Sequence, residues 1–340
     1  MAEYKFDSEK FLPQRIANMI TDVRVCRPEI IEQQARARKR RPQLAPRGKI
    51  TILAADHPGR GVTQLANDPW RMADRREYLA RIVRVLLQSD FDGFMSTPDM
   101  VEDLLILDYL LQEAGAPSFL DGKVLVGCMQ RGGVAGVAGE FDDRFSAYTP
   151  QSLARLNLDG GKMMFRFAPE EEGTLRTIYY CAEAINGLSR RRLHAFVEPL
   201  NVVRDEDSWK IHNDTDALVT LVGIASALGE TSQYLWLKIP YCEAFARVAS
   251  ATTLPVLLLG GPSNEDPRQT FEDFAQAVNS GANVRGAMVG RNLTFPGAED
   301  PAGVAQAIYH IVHDNISVDE ALATVTRWRE TGVDALTKYL

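Results

Sequence analysis

The chain has 340 residues, enough for one large α/β domain with extensions or for two ordinary domains. Its 45% hydrophobic and 24% charged residues exclude a disordered chain, and the longest apolar run, near "LPVLLLGG", is too short to cross a bilayer. A formal net charge of −7 gives no overall attraction to nucleic acid or to anionic lipid, so neither is expected as a partner.

Residues 1–48 read as an N-terminal helical extension containing "SEKFLPQRIANMITDV" and "PEIIEQQARARKRR". The basic run at 36–41 lacks an aromatic platform for bases and reads as a solvated or subunit-contacting face. From 49 to 315, strand-length apolar runs alternate with amphipathic helical segments. The runs are "KITILAADH" (49–57), "FDGFMSTPD" (91–99), "KVLVGCMQRGG" (123–133), "GKMMFRFAP" (161–169), "LHAFVEPLN" (193–201), "YLWLKIPY" (234–241), "LPVLLLGGPS" (254–263) and "RGAMVGRN" (285–292). Eight nearly continuous hydrophobic strands separated by helices predict a (β/α)8 TIM barrel, with a doubly wound open sheet as the competing arrangement. Residues 316–340 read as a C-terminal helical tail. Homo-oligomers are common for such barrels, and one is expected here.

In a barrel of this kind the chemistry gathers at the C-terminal ends of the strands, and side chains alternate inward and outward. In "YLWLKIPY", Tyr234, Trp236 and Lys238 share one face and Leu235, Leu237 and Ile239 the other, so packing the aliphatic set against helices turns Lys238 into the barrel. The same count groups Ile52, Ala54 and Asp56, then Lys162, Met164 and Arg166, and then His194, Phe196 and Glu198. Two lysines and two carboxylates then converge on one interior volume. A desolvated lysine with a second cation nearby has its pKa lowered, and its neutral amine can attack a ketone to form an imine. The iminium draws electrons from the neighbouring carbon–carbon bond while a carboxylate moves protons. The plainer alternatives are a structural ion pair for Lys238 and, because Lys162 lies early in its strand, a side chain that snorkels out of the barrel bottom.

After the seventh and eighth runs, "GGPSN" and "GRN" place Gly260, Gly261, Gly290 and Arg291 where backbone N–H groups and a guanidinium can hold a phosphate. Over roughly 49–315 these residues resemble the class I, Schiff-base aldolase superfamily of archaeal-type fructose-bisphosphate aldolase and tagatose-bisphosphate aldolase. "AADHPGRG" is similar to the strand-one Asp motif, "KIPY" to the Schiff-base lysine strand, and "GKMMFRFAP" with "FVEPL" to the tagatose-bisphosphate branch. The resemblance implies Lys238 as imine-forming nucleophile, Glu198 as proton-transfer group, Lys162 as a cation tuning both, and Asp56 on substrate hydroxyls or in proton transfer. The strand-four tyrosine acid of the archaeal-type enzymes has no counterpart in "KMMFRFAP", which favours the lysine/glutamate version. The likeness extends to an inositol-catabolism-linked branch, implying 2-deoxy-5-keto-gluconate 6-phosphate cleaved to dihydroxyacetone phosphate and malonate semialdehyde, with Arg60, Arg131 or Arg166 on the carboxylate. A fructose/tagatose-bisphosphate-type aldolase or a Schiff-base transferase of the same superfamily is the alternative, and a sugar-phosphate-binding sensor or assembly subunit the non-enzyme one.

The remaining signals are bland. His57 points away from Asp56 if the strand continues, and His194, His212, His310 and His313 lack metal-ligand spacing, so neither a metal nor an organic cofactor is expected. "RGGVAGVAGEF" (131–141) lacks dinucleotide-loop spacing and reads as a loop over the barrel mouth. Cys26, Cys128, Cys181 and Cys242 show no paired spacing, and no N-terminal apolar leader is visible, so a cytoplasmic location with reduced thiols is expected.

Overall fold

A computed structural model describes residues 4–130, 141–206, 208–261, 263, 265–329 and 331–340. Among the described residues nine strands form: β1 (Ile50–Ala54), β2 (Gly93–Ser96), β3 (Val124–Cys128), β4 (Gly160–Phe167), β5 (His194–Asp205), β6 (Ser208–Ile211), β7 (Leu235–Pro240), β8 (Val256–Leu259) and β9 (Val284–Val289). Eight are parallel neighbours in the order β1-β2-β3-β4-β5-β7-β8-β9, and β9 pairs back onto β1, Ile50 opposite Gly286. The sheet is therefore a closed (β/α)8 barrel rather than an open doubly wound sheet.

Alternation sorts the apolar side chains into two layers. Ile50, Ile52, Met95, Val124, Val126, Phe196, Leu257 and Met288 fill the barrel interior, whereas Leu53, Met163, Phe165, Leu235, Leu237 and Ile239 face the surrounding helices. The N-terminal segment supplies α1 (Ser8–Phe11), α2 (Gln14–Cys26) and α3 (Glu29–Ala37), and the barrel helices begin with α4 (Arg75–Gln88) and α5 (Pro98–Glu113). They continue through α6 (Pro150–Arg155), α7 (Gly173–Ser189), α8 (Thr215–Ser226), α9 (Phe245–Ala249), α10 (Pro267–Ala277), α11 (Arg291–Thr294) and α12 (Pro301–Asp314), with α13 (Val318–Trp328) packed on α12. Polar first residues set several starts: Asp74, Asp214 and Asp300 accept a backbone N–H at the head of α4, α8 and α12. Among the described residues no helix is long and apolar enough to cross a membrane.

Two sequence expectations change. The basic run is not a solvated or subunit-contacting face throughout, because three of its arginines tie the extension to the N-terminal end of the barrel. Buried Arg38 reaches Asp159 at 3.0 Å, Arg40 meets the other oxygen of the same carboxylate at 2.7 Å, and Arg41 meets Asp92 at 2.9 Å. Asp159 and Asp92 directly precede β4 and β2 and also accept the backbone N–H groups of Leu125 and Thr51. Arg36 and Lys39 do stay exposed, pairing with Glu32 and Asp121. The second change is an additional strand. β5 runs beyond the barrel and turns into an antiparallel hairpin with β6, Val202 opposite Ile211, and Trp209 of β6 packs edge-on against Phe141 at 4.8 Å.

Candidate active site

The C-terminal mouth of the barrel gathers Asp56 just past β1, Lys162 on β4, Glu198 on β5 and Lys238 on β7. All four are buried, above the apolar plug that includes Phe196 and Trp236. Glu198 Oε2 lies 2.7 Å from Lys162 Nζ and 3.2 Å from Lys238 Nζ, so one carboxylate oxygen bridges the two ammonium groups. Lys162 Nζ also donates to Asp56 Oδ2 at 3.3 Å. Its side chain is 0% exposed, so it does not snorkel out of the barrel bottom.

The two lysines differ electrostatically. Burial pushes the Lys238 ammonium below its ordinary value, the charge of Lys162 pushes the same way, and Glu198 and Asp56 oppose without cancelling them. Burial acts on Lys162 too, but Asp56 and Glu198 together outweigh it and hold that ammonium above its ordinary value. Burial alone would raise Glu198; Lys162 and then Lys238 overcome it and bring the carboxyl down to about 2. Asp56 is likewise held well below the carboxylate range, against its own burial, by Lys162 and then Arg60. The arrangement contains one lysine committed to its charge, one driven toward the free amine, and two ionised carboxylates.

The second predicted group lies at the adjoining strand ends. Gly260 follows β8, and its carbonyl accepts from the Asn292 side chain. Gly261 adopts φ +66 with open space where a Cβ would project. Gly290 follows β9, where a Cβ would lie 2.5 Å from His57 Cε1 and 3.1 Å from Ala54 O, so only glycine admits the His57 ring there. Arg291 is half-buried beside it, and its Nε is buried without a hydrogen bond. Arg166 sits half-buried near the end of β4, on the Lys162 face of that strand, and Arg131 lies outside the described residues, as does most of the glycine-rich stretch 131–141.

Sequence reasoning passed over two neighbours as site residues, Cys128 and Gln130, and set aside a third, His57. The Cys128 thiol, at the end of β3, is 3.5 Å from Asp56 Oδ2 and donates to the Gln130 carbonyl at 2.6 Å. Burial pushes that thiol well above its ordinary value. Counting by two along Val124, Val126 and Cys128 would have placed it inward. Gln130 donates to Asp143 and to the Met164 carbonyl, bracing β3 against β4. His57 Nδ1 faces the buried Tyr78 hydroxyl at 3.5 Å, and burial brings its imidazole down to about 3, so it stands neutral between the mouth and α4. The four cysteines are unpaired. Among the described residues no group of three or more His, Cys, Asp or Glu is placed to share a metal ion.

Residues 48–310 match the Cgl0159-like family. The crystal structure of Cgl0159 from Corynebacterium glutamicum is 32% identical, with a TM-score of 0.82 over 90% of this chain and 99% of that one. An archaeal fructose 1,6-bisphosphate aldolase shares the fold at 17% identity and a TM-score of 0.55, over 84% of this chain and 99% of that one. An uncharacterized aldolase of Saccharolobus solfataricus is 34% identical over 130 residues, 37% of this chain and 44% of that protein. A 2-amino-3,7-dideoxy-D-threo-hept-6-ulosonate synthase of Archaeoglobus fulgidus is 29% identical over 86 residues, 25% of this chain and 31% of that protein. The chain thus spans less than half the length of these two curated relatives. The archaeal fructose 1,6-bisphosphate aldolase among these likenesses shares the barrel fold that the sequence resemblance implies.

Proposed function

The chain belongs to the Cgl0159-like family, and from that premise we propose that it is a class I aldolase that makes or breaks a carbon–carbon bond in a phosphorylated ketose or keto-acid sugar. The observation that carries the reading is the pair of lysines on one glutamate oxygen, with only Lys238 pushed toward its neutral form. In this reading the Lys238 amine adds to the substrate ketone, and loss of water gives an iminium. A carboxylate, Glu198 or Asp56, takes the proton of the substrate hydroxyl as the carbon–carbon bond breaks. The bonding electrons move into the iminium, leaving an enamine and an aldehyde. Protonation of the enamine and hydrolysis of the resulting iminium return the amine and release the ketone product. Lys162 stays charged throughout and holds both carboxylates in their ionised state.

The glycine corner with Arg291 is the proposed phosphate site, and Arg166 a further substrate contact. The finer reading, cleavage of 2-deoxy-5-keto-gluconate 6-phosphate, rests on the sequence resemblance and on the arginines at the mouth. Borohydride reduction in the presence of candidate ketose phosphates, followed by peptide mapping, tests the chemistry. An adduct on Lys238, absent in Lys238→Met, is the expected result; turnover without a trappable adduct would sink the imine mechanism. Product analysis separates cleavage from group transfer, and a sensor would bind ligand without consuming it.

A further inference from the structure

We propose that Arg60 is a specificity-determining residue, one that binds an oxyanion of the substrate beside the reacting carbonyl. The proposal rests on the aldolase reading and names what that site recognises. Arg60 ends a single 3-10 turn, Pro58–Arg60, that leaves β1 directly after Asp56. The turn is fixed locally: the backbone N–H groups of Arg60 and Val62 both donate to His57 O at 3.0 Å. The side chain is only 15% exposed, yet among the described residues its one ionic contact is Asp56 Oδ2 at 3.9 Å, beyond hydrogen-bond reach. Its Nε is buried without a hydrogen bond.

Asp56 does not satisfy this guanidinium, because Lys162 holds the same carboxylate oxygen more closely, at 3.3 Å. Glu198 is taken up by the two lysines. Arg60, Lys162, Lys238 and Arg291 thus face Asp56, Glu198 and the more distant Asp143, four cations against three carboxylates, whose charges hold Arg60 above its ordinary value against its burial. Arg291 has its own buried, unbonded Nε, and after burial the charge of Arg60 is the largest influence lowering it. Keeping a guanidinium largely buried and without a hydrogen-bonding partner is costly, and an arriving anion relieves that cost. Through Asp56 the guanidinium shares one volume with Lys162 and Lys238, so the anion it takes belongs close to the carbonyl carbon that Lys238 attacks. A phosphate ester and a carboxylate share the required chemistry.

Three ketones separate the cases by the rate of borohydride trapping on Lys238: dihydroxyacetone, which carries no charge, dihydroxyacetone phosphate, and pyruvate. In Arg60→Gln, trapping with at least one charged ketone slows roughly tenfold or more relative to trapping with dihydroxyacetone. A drop confined to dihydroxyacetone phosphate assigns the phosphate, and one confined to pyruvate assigns a carboxylate. An equal drop with all three ketones, or no drop with any, overturns the proposal. If the unaltered protein traps none of them, the aldolase reading has failed, and anion binding is then read by thermal unfolding. Inorganic phosphate or malonate should raise the melting temperature of the unaltered protein more than that of Arg60→Gln; equal shifts in both, or none in either, overturn it.

Discussion

Replacing Lys162 by Met tests the division of labour between the two lysines. Methionine keeps the length and apolar stem of the side chain but removes the charge that faces Glu198 at 2.7 Å and Asp56 at 3.3 Å. Both ammonium nitrogens rest on the same Glu198 oxygen, so they are no more than about 6 Å apart. At an effective dielectric of about 20, two unit charges at that separation repel by roughly 3 kcal/mol. Losing the repulsion favours the charged form of Lys238 by that amount, and the fraction of free amine at neutral pH falls by about a hundredfold. The sign is fixed by the geometry: with Lys162 gone, Glu198 and Asp56 act on Lys238 alone, so its ammonium becomes harder to deprotonate. The pH profile of imine trapping should therefore move to higher pH, with the rate recovered in alkaline buffer. Near-ultraviolet circular dichroism establishes that the variant is folded, since removing one partner of a buried ion pair costs about 3–5 kcal/mol. A folded variant with an unmoved profile refutes the proposal that Lys162 tunes Lys238, and a rate lost equally at every pH assigns Lys162 a different role.

Glu198→Gln should flatten the acid limb of stability. The native carboxyl sits at about 2 against an ordinary 4.5, so its contribution, on the order of 3 kcal/mol, is fully present above 4.5 and is lost as pH falls toward 2. Urea unfolding measured across that window checks it, and an unchanged slope counts against the ionised bridge. Gly290→Ala forces a methyl group to within 2.5 Å of the His57 ring and should cost about 1–3 kcal/mol. Gly261→Ala, at φ +66 in open space, should cost about 1 kcal/mol through backbone conformation alone. Equal losses of melting temperature in the two variants contradict the close approach of His57. Asp159→Ala strips Arg38 and Arg40 of their shared partner at the barrel bottom and should cost about 3–5 kcal/mol in denaturant unfolding. Imine trapping in the folded state should be unchanged; a loss below about 1 kcal/mol means the extension does not brace the barrel.

The barrel was legible because its eight strands are largely buried on both faces and therefore read as nearly continuous apolar runs. That same rule hid the hairpin: "VVRDEDSWK" carries charge, with Val203, Arg204 and Lys210 exposed, and the contact of Trp209 with Phe141 is one no local pattern records. The basic run shows a similar limit. Its charge is visible in the sequence, but its partner is not, since Arg38 finds Asp159 across 121 positions.

The central pair makes the point sharper. Alternation turns both lysines inward and gives no reason to prefer one as the amine. What separates them is how many carboxylates each one meets, two for Lys162 and one for Lys238. Equal burial then has opposite outcomes: two carboxylates outweigh the loss of water around Lys162, and one, with another cation beside it, does not around Lys238. The proposed choice of Lys238 as nucleophile thus rests on the closed barrel, which brings Asp56 of its first strand to Lys162 of its fourth and keeps it from pairing with Lys238 of its sixth.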